Sequence, residues 1–578
     1  MIKKLIQTWN YLDRPHQKKF GLILIISVSG AILEMIGLGL IYPMLNFLIS
    51  GEIPGIIGQF FLEYSPIDKN EIAVYLISFF AAYFVLKNIT LTFFTYTLFR
   101  LFADFRIYIS SRLFRGYIYS DYHFFIANNS SEITKNFTNL VNGININILI
   151  PLGIILTDFF VLAALIGLSL AIKPIDTMIL FTLIIIPSLL YYRLTKNRIR
   201  LYGILSQENE TLRIKTVNEM IGSIRDILLL DKSNFFVNHY AAADRQVADA
   251  AFKTTFMSQS SKYFLESVLI FAIAVLIFIK SLAGQSFLAL IPILGFYAVM
   301  GFRVTPSINR LLISMQMLKF GEAIIDNINQ EFKRSNKNIR RLNNSLMSFN
   351  ESIKIDNLAF KYQSILPYIF EGLTIEIKKG ESVGICGETG SGKSSFLNIL
   401  LGFLTPSKGA ITIDNHDIHQ NNLTLKHVMG FVPQDIFLID DSIAKNVALG
   451  VDDNDLNRDR VYWALKEAQL ESFIKRQRMG INTKVGERGV RLSGGQKQRI
   501  GIARALYFGA QILVFDEATS ALDEATEKAV MQNITKLKSS LYTIVVVAHR
   551  ISTLRACDRV FKLSDQGLIK IDLKKVLL

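Results

Sequence analysis

Three short stretches carry residue types and spacings suited to phosphate chemistry. The first is GETGSGKSS, residues 387–395, between the apolar stretch SVGIC and the helix-like run FLNILLGF. A strand, a glycine-rich turn and a helix in that order let backbone N–H groups at Gly387, Gly390 and Gly392 face a polyphosphate, and the helix N-terminus adds its dipole. Lys393 would neutralise β/γ-phosphate charge and Ser394 would reach Mg²⁺; Glu388, Thr389, Ser391 and Ser395 complete the loop. The second stretch is ILVFDE, residues 512–517, a buried-strand pattern ending in two carboxylates. Asp516 would orient Mg²⁺ and its water, and Glu517 would polarise the attacking water as general base. A lone Asp-Glu pair reads as a strand-end turn; it gains meaning downstream of a phosphate loop. The third is LSGGQ, residues 492–496, ahead of the helical run QKQRIGIARALYF. Ser493, Gly494, Gly495 and Gln496 make a second phosphate cradle. Two cradles serving one nucleotide must come from different copies of the chain, since each site needs both.

These stretches lie in the second half of a 578-residue chain, too long for one core. The chain is 51% hydrophobic, and the apolar residues are concentrated in the first half. About 20 mostly apolar residues cross a bilayer. Six runs qualify: 20–49, 72–99, 144–172, 175–194, 264–279 and 287–315. The fold class expected is therefore a polytopic α-helical membrane domain with six spans, followed by an α/β P-loop domain. The expected boundaries are 1–330 for the membrane domain, 331–350 for a basic, Asn/Ser-rich linker and 351–578 for the nucleotide-binding domain.

The net charge of +15 has two readings. A nucleic-acid binder would cluster its basic residues on a groove-facing element. Here they flank apolar spans, as cytoplasmic loops do, so no nucleic-acid partner is expected. Arg14, Lys18 and Lys19 precede the first span, and Arg100, Arg106, Arg112, Arg115 and Lys135 follow the second; the loop between carries Glu52, Glu63, Asp68 and Glu71 against Lys69. Positive segments stay inside, which places the N-terminus and the nucleotide domain in the cytosol and the chain in the inner (cytoplasmic) membrane. Cys386 and Cys557 form no metal-spaced cluster and fit a reducing cytosol. The N-terminus lacks a cleavage-like site and reads as a cytoplasmic lead-in. Residues 116–133 and 220–240 read either as helices running past the membrane or as turns built on short transverse helices. Residues 52–65 read as an external interfacial helix or as a packed loop.

The order GETGSGKSS, Gln434 in VPQD, LSGGQ, ILVFDE, SALD (520–523) and His549 in VVVAHR resembles the ATP-binding cassette of ABC transporters over about residues 351–565. Six spans before one cassette resemble an exporter half-transporter. The resemblance implies ATP and Mg²⁺ as cofactors and a second copy of the chain as partner, with a heterodimer as the other arrangement. It also implies roles. Tyr362 would stack on adenine, and Gln434 would couple Mg²⁺ and the attacking water to the membrane domain. Residues 486–489 (GERG) would contact the transverse helices. Ser493, Gly495 and Gln496 would close on the partner's ATP. Asp523 would act across the dimer interface, and His549 would contact the γ-phosphate.

The cargo must be read from the spans. Arg303, Lys87 and Lys262 lie about 22–25 Å from the external ends of their spans, at about 1.5 Å per residue. Asp158 and Glu266 fall at a similar depth. One reading is snorkelling cations and interhelical ion pairs. The other is a cationic belt suited to a phosphate headgroup. The stretch LEMIGLGLIYPML (33–45), with the short external segment, resembles lipid-linked oligosaccharide flippases. That resemblance implies flipping of a polyprenyl-diphosphate-linked glycan from inner to outer leaflet, with Lys87, Lys262 and Arg303 as substrate residues. Export of another amphiphile, a lipid A-type lipid or a drug, is the alternative, and an ATP-gated channel is a further one. A non-transport ATPase of the same family would lack the spans. The absence of a peptidase domain before the first span argues against bacteriocin-type peptide export.

Overall fold

Inside a bilayer the backbone polar groups have no water to bond, so long apolar runs must satisfy them internally as helices. In the computed structural model the first half is built that way. The structure describes residue 3 and residues 13–40, 69–283, 287–337, 348–363, 365–419, 428–517, 542–548, 554–555, 557–564 and 567–571. The six runs fall in helices α1 (Arg14–Gly39), α2 (Lys69–Ile118), α3 (130–172), α4 (Pro174–Gly222), α5 (Ser233–Leu282) and α6 (Phe287–Phe320). Among the described residues, α1 to α5 each contain a stretch long and apolar enough to cross a membrane. The proposed external segment 52–65 and residues 41–49 lie outside the described residues.

The helices are longer than the spans within them. α2 and α5 have 50 residues each and α4 has 49. That is about 75 Å of helix against a hydrocarbon core of about 30 Å. Both readings of the connecting segments therefore hold in part. The helices do run on, and short helices, Tyr122–Ala127 and Ile224–Leu229, join them. Hydroxyls in the apolar part of α2 are satisfied within the helix: Thr90, Thr92, Thr95 and Thr97 each donate to the carbonyl four residues earlier, at 2.8–2.9 Å.

Pro306 suggests a kink in the sequence, yet α6 continues through it. The interruption falls at Gly321, before helix α7 (Glu322–Lys337). Close packing explains the glycine. A Cβ there would lie 2.7 Å from the Ile148 side chain and 2.9 Å from Asn147 Cβ. Gly203 on α4 supports the same junction, since its Cβ would sit 2.2 Å from the Phe320 carbonyl oxygen. α7 is amphipathic and buries Ile324, Ile325, Ile328 and Phe332. Residues 331–337, expected as linker, are thus helical.

The chain falls into two compact units, residues 1–120 with 125–339, and residues 121–124 with 340–578. The second unit is α/β. A four-stranded antiparallel sheet has the order β2-β1-β4-β5, with β1 Ser352–Phe360, β2 Phe370–Lys378, β4 Lys408–Ile413 and β5 His416–Asp417. A six-stranded sheet has the order β10-β9-β3-β8-β7-β6. Its strands are β3 Ser382–Cys386, β6 Met429–Val432, β7 Ile512–Asp516, β8 Thr543–Val547, β9 Arg559–Ser564 and β10 Gly567–Ile571. β9, β3, β8, β7 and β6 pair in parallel, and β10 closes the edge antiparallel. β8 reads TIVVV and is buried at every position, the composition a parallel strand covered on both faces requires. The carboxyl ends of adjacent parallel strands are where such sheets place ligand loops.

Candidate functional site

The phosphate loop leaves the carboxyl end of β3 and enters helix α8 (Lys393–Leu400). Two glycines set its path: Gly390 has φ +89° and Gly392, the N-cap of α8, has φ +88°. Gly387 is required for another reason. Its Cβ would meet Ser391 Oγ at 2.6 Å and the Leu563 carbonyl oxygen at 2.9 Å. The Ser391 hydroxyl is buried without a hydrogen-bond partner, so the loop interior holds an unmet polar group.

Lys393 folds back and donates to the carbonyls of Gly387 and Glu388 at 2.9 and 2.8 Å. Burial lowers its pKa, opposed by Glu517, Cys386 and Asp516. A lysine held by neutral carbonyls, with two carboxylates facing it, is ready for an anion and a divalent cation. Ser394 and Ser395 open α8, and Ser395 Oγ lies 3.1 Å from the Tyr362 hydroxyl. The Tyr362 ring is braced edge-on by Phe360 at 5.0 Å. Glu388 pairs with Lys562 of β9 at 3.3 Å, a contact the motif does not reveal. Thr389 lies in the same turn.

Asp516 ends β7. Burial raises its pKa, the neighbouring Glu517 raises it further, and Lys393 opposes both. A divalent cation would offset that burial, so the carboxylate fits a metal-facing role. Glu517 sits at φ +48°, uncommon for a side-chain-bearing residue, and its N–H donates to the Val547 carbonyl at 2.9 Å. Its carboxylate accepts from Gln434 Nε2 at 2.9 Å. Gln434 and Glu517, 83 residues apart, are thereby brought together at the end of the sheet.

Ser493 caps helix α9 (Gly494–Tyr507). Ser493 Oγ accepts from the Gln496 N–H at 3.3 Å, and Gln496 Oε1 accepts from the Ser493 N–H at 3.0 Å, a reciprocal capping box. Gly494, exposed, and Gly495, partly buried, form the first turn, so N–H groups without side chains of their own stand at a helix N-terminus. Asp523 and His549 lie outside the described residues. In the GERG stretch, Glu487–Gly489 is one tight turn with Arg488 at φ +51°.

In the membrane unit each of the three cations lies near a carboxylate. Lys87 is fully buried, contacts Glu34 at 3.1 Å and sits 4.4 Å from the centre of the Phe84 ring. Arg303 reaches the other oxygen of the same Glu34 carboxylate at 3.4 Å. Lys262 is mostly exposed and lies 4.0 Å from Glu266, one turn along α5. Helix rise gives height but not azimuth, so it could not tell a buried lysine from an outward one. Asp158 takes both arms of Arg310, from Nε at 2.8 Å and a terminal nitrogen at 2.6 Å. Glu34 and Arg310 escaped the sequence reading. Glu34 lies in LEMIGLGL, and a carboxylate inside an apolar run was the available signal.

The comparisons with known proteins follow the same division. Residues 20–300 match the family model of the ABC transporter transmembrane region, and residues 370–520 match that of the ABC transporter. The leukotoxin translocation ATP-binding protein LktB of Mannheimia glucosida is 41% identical over 227 residues. That stretch is 39% of this chain and 32% of that protein. LktB of Bibersteinia trehalosi is 40% identical over the same length, so the chain spans about a third of these relatives. A solved structure of a bacterial Atm1-family ABC exporter with ATP bound superposes with a TM-score of 0.81 at 24% identity, covering 98% of this chain and 97% of that one. At that identity the likeness establishes the fold. The chain belongs to the ABC transporters: it is a multi-pass membrane protein of exporter fold that joins the family's transmembrane region to its ATP-binding domain.

Proposed function

We propose that this chain is an ATP-driven exporter that works as a homodimer in the inner membrane, with its ATP-binding domain in the cytosol. Its cargo is an anionic amphiphile, best matched by a polyprenyl-diphosphate-linked oligosaccharide moved from the inner to the outer leaflet. Lys393, Ser394 and the loop amides hold the triphosphate. Ser394, Asp516 and Gln434 would hold Mg²⁺, Glu517 would act as general base on the attacking water, and His549 would contact the γ-phosphate. Tyr362 takes the adenine, while the partner copy's signature stretch, residues 492–496, and Asp523 complete each site. The observation that carries the cargo assignment is Arg303, a half-exposed guanidinium inside the membrane unit whose carboxylate partner already serves Lys87. A cation left partly open at that depth suits a phosphate headgroup while the tail stays in lipid.

Translocation of a polypeptide is the second reading. The printed names of the leukotoxin relatives favour it, although the shared stretch is 227 residues. Purified protein in proteoliposomes distinguishes the two. ATP-dependent movement of a fluorescent polyprenyl-diphosphate-linked glycan is expected, with loss in the Arg303→Ala variant. Wild-type movement in that variant would remove Arg303 from the substrate path. A protein cargo moved while the glycan lipid stays behind would overturn the lipid reading.

A further inference from the structure

Glu34 lies on α1, partly buried, with one oxygen on Lys87 of α2 and the other on Arg303 of α6. One turn of α3 and two further turns of α6 supply a second group. Asp158 is buried and engages Arg310 through both its oxygens, and Arg310 also donates to Ser307 Oγ at 3.1 Å. Arg303 and Arg310 are seven residues apart and share one face of α6. Among the described residues, three cations therefore meet two carboxylates in this group, leaving one positive charge in excess. Excess charge there is costly unless an anion or water compensates it.

The contacts show where the excess resides. Arg310 has a two-pronged partner in Asp158, which engages it through both oxygens. Lys87 is fully buried and holds Glu34 at 3.1 Å, with its ammonium over Phe84. Arg303 has the longest contact, 3.4 Å through one terminal nitrogen, and its side chain is 42% exposed. Arg310 is also open, at 52%, but its two-pronged hold on Asp158 leaves Arg303 as the weakly held arm. If Arg303 lets go, Glu34 keeps Lys87, so no buried carboxylate is stranded. A phosphate offers the fork geometry that a single distant carboxylate oxygen does not.

We propose that Glu34 is the resident counter-ion of an anion subsite, holding Arg303 until a phosphate-bearing headgroup takes that guanidinium from it. This rests on reading the chain as an exporter of an anionic amphiphile. Because Glu34 belongs to α1 and keeps α2 through Lys87, loading the subsite frees α6 from the α1–α2 pair. Substrate arrival thereby becomes a change in helix contacts, and ligand affinity and helix release are reciprocally linked.

The test uses full-length protein in phosphatidylcholine nanodiscs, with ATP hydrolysis titrated against farnesyl diphosphate, inorganic pyrophosphate or uncharged farnesol. Farnesyl diphosphate is expected to stimulate hydrolysis and farnesol to have no effect. Stimulation by pyrophosphate alone would identify the free anion as sufficient; its failure would assign the requirement to an anion on a lipid tail. Either outcome keeps the subsite. Glu34→Gln removes the internal competitor and should lower the half-maximal concentration of the stimulating anion about tenfold. Arg303→Ala should raise it about tenfold. Glu34→Gln should then add nothing in the Arg303→Ala background, a result that a merely structural Glu34 would not give. Should Glu34→Gln alone fold poorly because Lys87 loses its partner, the Glu34→Gln/Lys87→Met variant keeps that position neutral and should show the same shift. An unchanged or raised half-maximal concentration in the folded variant would overturn the proposal. The two readings fail separately. A shift with farnesyl diphosphate but no glycan-lipid translocation overturns the cargo assignment alone, whereas translocation without the shift overturns the counter-ion role alone.

Discussion

Two buried lysines show how differently the two units use charge. Lys393, in the ATP-binding unit, is held by two carbonyl oxygens of its own loop. Lys87, in the membrane unit, is held by the Glu34 carboxylate and an aromatic face. The first arrangement is readily exchanged, because a phosphate oxyanion binds an ammonium more strongly than neutral carbonyls do. The second is structural, because removing either partner leaves a charge in a medium that cannot solvate it. Around Lys393 the surplus charge is offered to a ligand by design of the backbone. Around Lys87 it is cancelled by Glu34, and Arg303 is left with the longest contact.

The largest effect that tests this contrast is at Glu517. Glu517→Gln retains the hydrogen-bonding shape beside Gln434 but removes the base. Steady-state ATP hydrolysis should fall by about 100-fold or more, while ATP-bound dimer accumulates on size-exclusion chromatography. Hydrolysis near the wild-type rate would move the base elsewhere. The two lysines should then separate in what they lose. Lys393→Ala should weaken nucleotide binding more than about tenfold with little change in nucleotide-free melting, since only carbonyl contacts disappear. Lys87→Ala should lower thermal stability in detergent by about 3 kcal/mol, because Glu34 retains only its long contact with Arg303. ATP affinity should be unchanged in that variant. If Lys393→Ala melts like Lys87→Ala, the distinction between a ligand-ready and a structural lysine fails. The smallest effect should be Lys262→Ala, whose mostly exposed pair lies at 4.0 Å. A stability change within about 0.5 kcal/mol is expected, and a larger loss would show that Lys262 has a partner beyond Glu266.

The nucleotide site was legible because its chemistry is local. The turn at 387–395 needs glycines at fixed offsets to reach left-handed φ, a lysine at the start of a helix and a buried strand before it, and all of these are neighbours in the chain. The carboxylates at 516 and 517 follow the same rule at the end of another strand. Gln434 was legible only through resemblance, and its contact with Glu517 depends on β6 and β7 lying side by side. The Glu388–Lys562 pair was not legible, because it requires β9 to lie beside β3.

In the membrane unit the sequence determined the six apolar runs, their order and the approximate height of each cation, since helix rise is fixed by backbone geometry. It did not determine which way those cations point. A change of one residue rotates a helical side chain by about 100°, so Lys87, Lys262 and Arg303 could share a level without sharing a cavity. Nor could the sequence place the break after α6. Pro306 is the stronger local signal, yet the helix passes through it and stops at Gly321, where α3 approaches too closely for a side chain. What the chain alone decided were the phosphate cradles and the apolar spans, properties of neighbouring residues. What the tertiary structure decided was which charges meet, because the convergence of Glu34, Lys87 and Arg303 is a property of three helices brought together by packing.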